Sequence, residues 1–156
     1  MIEIRLDDPR WGDVLTEDAV DRIARGVFER VGLGPEAEAA LLGCDDAAIA
    51  QLNAEFRAKP QPTNVLSWPA EEVIPPALPQ PDPGGVIELG DIAMAYDTCA
   101  REAAEQGKTI ADHTAHLLVH GLLHLLGYDH ERDEDATLME GLETEILGKL
   151  GIKDPY

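Results

Sequence analysis

A chain of 156 residues with 44% hydrophobic content is long enough to bury a core of ordinary size, and it reads as one folded domain over residues 1–156. A net charge of -19 excludes a general polyanion grip, because such a body repels nucleic acid at long range. Met1 to Asp8 lacks the basic start and apolar run of a secretory signal, and no apolar stretch approaches membrane-spanning length, so the expectation is a cytoplasmic protein with no membrane partner.

In chain order, Ile2 to Leu6 alternates apolar and charged residues as a half-exposed strand does. Thr16 can cap a helix whose Val20, Ile23, Val27 and Val31 share one face, with Gly32 and Gly34 ending it. Ala37 to Gly43 fits a second strand. Asp45 or Asp46 then starts a helix through Ile49, Leu52 and Phe56, where an acid suits the positive end. Asn64 to Trp68 reads as a third strand stopped by Pro69. From Pro69 to Gly85, six prolines and two glycines exclude regular structure, leaving either a flap over a site or a passive insertion. Val86 to Ala95 is a strand interrupted at Gly90 and Asp91. Thr98 to Gln106, Thr109 to Leu126 and Glu134 to Leu150 are helices. No internal repeat or second domain is evident. Cys44 and Cys99 stand apart without CxxC spacing, as buried free thiols do. The mixture predicts an α+β fold: a small mixed four-stranded sheet flanked by about five helices.

All five histidines lie between His113 and His130. On a helix, His120 and His124 project from one face. Gly127 lets the chain leave that helix in a left-handed turn, and His130 can close on the same point. Three imidazoles with an open fourth position are a catalytic zinc arrangement, since structural sites fill all four positions and usually use cysteine. His116, one turn before His120, is either a fourth ligand or a supporting residue; the turn after Gly127 favours the supporting role.

Residues 120 to 130 match every histidine and the glycine of the metzincin pattern H-E-x-x-H-x-x-G-x-x-H. Where those proteases carry the glutamate that shuttles a proton to the leaving amine, this chain has Gly121. Peptide cleavage loses its main catalyst, whereas phosphodiester cleavage can proceed with a metal ion and an arginine. Two windows, Phe56 to Trp68 and His113 to Tyr128, contain no acid, and the first holds Arg57 and Lys59. If they meet, they form a neutral to positive cleft on an acidic body. Arg57, on the connection after the helix ending near Phe56, is placed to reach into it.

The run HGLLHLLGYDH from His120 to His130 resembles the signature of the bacterial YbeY endoribonucleases. LNAEFRAKPQPTNVLSWP from Leu52 to Pro69 and, more weakly, LGDIAMA from Leu89 to Ala95 resemble two further blocks of that family. Ala58, Gln61 and Trp68 depart from its common glycine, acid and phenylalanine. The resemblance implies a zincin-like fold, zinc (Zn2+) held by His120, His124 and His130, and Arg57 as the arginine needed for activity. It further implies a single-strand-specific endoribonuclease acting on ribosomal RNA precursors in small-subunit maturation and ribosome quality control. For such an enzyme the acidic body suggests docking on basic small-subunit ribosomal proteins, with RNA met only in the cleft. Two other classes stay open. A metallopeptidase would need a base from elsewhere, such as Asp129 or Glu131, and a non-catalytic zinc-stabilised assembly factor would use Arg57 only as a phosphate contact.

Overall fold

The computed structural model describes residues 1–156 and is built from four strands and five α-helices. The strands are β1 (Ile2–Leu6), β2 (Ala37–Cys44), β3 (Val65–Pro69) and β4 (Ile87–Ala95); the helices are α1 (Glu17–Val31), α2 (Asp46–Arg57), α3 (Tyr96–Glu105), α4 (Ile110–Leu125) and α5 (Asp133–Lys149). The sheet order is β1-β2-β4-β3, with β1, β2 and β4 parallel and β3 antiparallel at the edge. It is therefore the mixed sheet that the sequence predicts.

Local chemistry sets most of the boundaries. The Thr16 side chain accepts from the Ala19 amide, and Gly32 takes φ 90 to close α1. Asp45, not Asp46, caps α2 by accepting from Ala48. Thr109 caps α4 in the same way through Asp112. The expected break at Gly90 is instead a bulge inside one continuous strand: the register slips between Glu38 and Ala39, and Gly90 absorbs it at φ 134 beside the Trp68 carbonyl.

A 3-10 turn at Pro9–Asp13 is absent from the sequence expectations. Asp8 caps it, and it drives Trp11 fully into the core, where the indole donates to the Cys44 carbonyl at 3.0 Å. Gly43 leaves the room, because a Cβ there would come within 2.7 Å of the Trp11 ring.

One face of the sheet carries the main core. Val20, Val27, Leu41, Leu89, Ile92 and Met94 meet Leu118 and Leu122 of α4 there. The opposite face holds a smaller cluster under α2, with Ile49, Leu66 and Ala93. α4 is the hub, packing against α1, α3, α5, β3 and β4. Its stripe of buried leucines contributes roughly 1.5–3 kcal/mol per side chain and fixes which way its polar face looks. Cys44 and Cys99 are buried free thiols, as expected, and burial pushes both up to about 12, so neither is a nucleophile at neutral pH. No helix is long and apolar enough to cross a membrane.

Candidate metal centre

With the leucines of α4 committed to the core, His116, His120 and His124 form the partly exposed stripe of that helix. α4 ends at Leu125, and Gly127 takes φ 95, the left-handed conformation that returns the chain. That turn brings back His130. One ligand atom from each of His120, His124 and His130 lies within 4.8 Å of the others. The Nε2 atoms of His120 and His124 face each other at 3.0 Å, and the His130 ring centroid is 5.4 Å from both other rings.

Electrostatics suit these rings to metal binding. Burial, reinforced by His120 and His130, pushes the His124 imidazole down to about 4, so it is neutral near pH 7, as a ligand must be. Behind His120 stands Glu143 of α5, fully buried, its Oε1 2.9 Å from His120 Nδ1. Burial alone would push this carboxyl up. Hydrogen bonds from His116, His120 and Tyr156 outweigh that and hold it at about 2. An ionised carboxylate can only accept, so the contact at Nδ1 calls for a proton on that nitrogen, and in a neutral ring that leaves the Nε2 lone pair for an ion. The donor set thus fits a soft-to-borderline divalent ion such as zinc: three imidazoles, one already oriented from behind.

His116 does not join the cluster. Its Nε2 donates to Glu143 Oε2 at 2.8 Å, in keeping with the supporting role expected of it. His113 is buried and bonds Glu102 at 2.9 Å, a packing role. Gly121, at the position of the protease glutamate, faces the sheet; a Cβ there would come 3.2 Å from Ile92 Cδ1. A side chain there would press on the Ile92 side chain, which would have to shift to admit it.

Arg57 is the last residue of α2 and not part of the connection after it; Ala58 at φ 56 closes the helix behind it. Its guanidinium donates to the Ser67 carbonyl at 2.8 Å. Ala95 donates to the Asn64 carbonyl and Ala70 to that of Leu89, so even-numbered residues of β3 bond β4, and the Ser67 carbonyl points out of the sheet. Arg57 therefore sits at the free edge of the strand that packs on α4. It is not among the three clustered groups.

The acid-free windows do meet, through β3 on α4. The surroundings are less basic than expected. Glu143 enters from α5, and a cavity of about 570 Å³ between the proline-rich loop and the Gly127 turn is lined by Glu71, Glu72, Asp129, Arg132 and Asp135. That loop lies directly on the turn: a Cβ on Gly127 would strike the Val73 carbonyl.

Glu143 and Tyr156 are the site residues that sequence reasoning missed. Glu143 had a visible signal, since Met139, Leu142, Ile146 and Leu147 make the buried stripe of α5 and Glu143 occupies a place in it. Tyr156 had none.

Comparison with known proteins agrees with the signature. The family model described as "Endoribonuclease YbeY" matches residues 7–151. A protein of that name from Ruegeria pomeroyi is 60% identical, the alignment covering 99% of this chain and 97% of that protein. One from Paracoccus denitrificans is 58% identical over 99% and 89%. The solution structure of a Thermotoga maritima protein superposes with a TM-score of 0.61 at 24% identity, covering 97% of this chain and 92% of that one, which establishes a shared fold. The chain belongs to the YbeY endoribonuclease family.

Proposed function

We propose that this protein is a zinc-dependent, single-strand-specific endoribonuclease of small-subunit ribosomal RNA maturation and ribosome quality control, acting as one domain in the cytoplasm. The convergence of His120, His124 and His130 on one point, in a chain of this family, carries the reading. His120, His124 and His130 are its metal ligands and Arg57 its catalytic residue. When bound, zinc supplies the Lewis acid that polarises phosphoryl oxygen and acidifies water.

The chain's own residues do the rest. His120 and His124 present Nε2 from one helix face, and His130 fixes the third direction from the turn. Arg57 spends one donor on Ser67. A guanidinium has five, and its remaining fork can clamp two phosphoryl oxygens as charge gathers on them. Gly121 argues against peptide cleavage, because it carries no carboxylate where the protease glutamate would pass a proton to the leaving amine. The acidic body fits docking on basic small-subunit ribosomal proteins, with RNA met only locally.

The test compares zinc-replete protein and His124→Ala on single-stranded RNA, duplex RNA and casein. Cleavage of the single strand alone, abolished in the variant, is expected. Casein cleavage without RNA cleavage, or efficient cutting of the duplex, overturns the reading.

A further inference from the structure

Glu143 occupies a position where a leucine or methionine would pack at no electrostatic cost. It lies on the apolar stripe of α5, between Met139 and Leu147, with no exposed surface. A lone buried carboxylate is strongly unfavourable unless each oxygen is hydrogen-bonded. Here both are: Oε1 accepts from His120 Nδ1 at 2.9 Å, and Oε2 accepts from His116 Nε2 at 2.8 Å and from the Tyr156 hydroxyl at 2.7 Å.

The segment after α5 is shaped to deliver that hydroxyl. Asp154 accepts from the Tyr156 amide at 2.9 Å and from Thr144 Oγ1 at 3.3 Å, pinning the segment to α5. The Tyr156 ring then stands edge-on to His116, with centroids 5.5 Å apart. Although more than half of Tyr156 is exposed, its polar end reaches a carboxylate that water does not.

We infer that Glu143 is a positioning residue of the metal centre, holding His120 as the Nδ1–H tautomer so that Nε2 faces the ion, and that Tyr156 completes it by fixing the second carboxylate oxygen. The inference rests on the reading of His120, His124 and His130 as ligands. A carboxylate behind a ligating imidazole raises its basicity and removes its rotational freedom, and losing such a partner typically weakens metal affinity about 10- to 100-fold.

The experiment is chelator competition on zinc-loaded protein, with parent, Glu143→Gln and Tyr156→Phe compared, and nitrogen-correlated NMR of the His120 ring in the metal-free state. Expected is a zinc affinity lower by about 10- to 100-fold in Glu143→Gln, a several-fold loss in Tyr156→Phe, and an Nδ1–H tautomer for His120 in the parent that Glu143→Gln no longer enforces. A purely structural role predicts otherwise: metal-free melting falls while the folded protein keeps parental zinc affinity and tautomer, which overturns the inference. Should Glu143→Gln fail to fold, Tyr156→Phe and the parent's tautomer decide, and an Nε2–H tautomer in the parent overturns it. A parent that holds no zinc sinks both this inference and the ligand assignment. Zinc held with the expected dependence by a protein that cuts no RNA would leave this inference standing and overturn the proposed function alone.

Discussion

At the scale of single residues, the proposed ligand set and the proposed role of Arg57 make separable predictions. His130→Ala should lose zinc while His116→Ala keeps it, because His116 turns its Nε2 to Glu143 and away from the cluster. Metal analysis of the purified variants decides this, and the reverse pattern would replace His130 by His116. Arg57→Ala should keep fold and zinc content while single-turnover RNA cleavage falls by about a hundredfold or more, as loss of one oxyanion donor typically does. Arg57→Lys should recover only part, since a point charge replaces a planar fork. Parental cleavage by Arg57→Ala with unchanged metal would leave the arginine as a strand-edge clip for Ser67. The three histidines were legible in the sequence because helix spacing and a glycine turn are local facts. The Glu143 and Tyr156 contacts were not, because they depend on how α5 and the segment after it fold back on α4 across many residues of chain.

At the scale of elements, the turn at Gly127 joins three things: the end of α4, the return of His130, and the seat of the proline-rich loop. Gly127→Ala forces a side chain into left-handed backbone and onto the Val73 carbonyl. Strain of this kind costs about 1–3 kcal/mol, so the melting temperature should drop clearly, and protease should cut more readily between residues 69 and 85. Unchanged melting and unchanged cleavage would mean that the loop does not rest on the turn in solution. Removing zinc should act on the same unit from the other side: amide exchange from Gly127 to Arg132 should speed up while exchange in the buried half of α4 stays slow. Capped and strongly periodic elements such as α1 and α4 were readable from sequence, because their signals are nearest-neighbour chemistry. The Trp11 turn was not. Asp8 and Pro9 do mark a start there, but its stability comes from the slot beside Gly43 and the Cys44 carbonyl, which exist only once β2 is in place.

At the scale of the whole molecule, a charge of -19 on 156 residues sets two opposite responses to salt. Self-repulsion of the acidic body is screened as ionic strength rises, so thermal stability should increase with added potassium chloride. RNA affinity should fall, but gently. With Arg57 and Lys59 as the local cations on one side and acids lining the nearby cavity, only about two or three phosphates can be neutralised, and the slope of log affinity against log salt should stay near −2 or shallower for a single strand. Arg57→Ala should flatten it by about one further contact's share, roughly 0.7, at the same time as it slows cleavage. Fluorescence titrations at several salt concentrations, beside melting curves in the same buffers, measure both. A slope of about −5 or steeper would require a broad basic surface such as nonspecific binders use, and it would replace the picture of an acidic body that meets RNA at one narrow place.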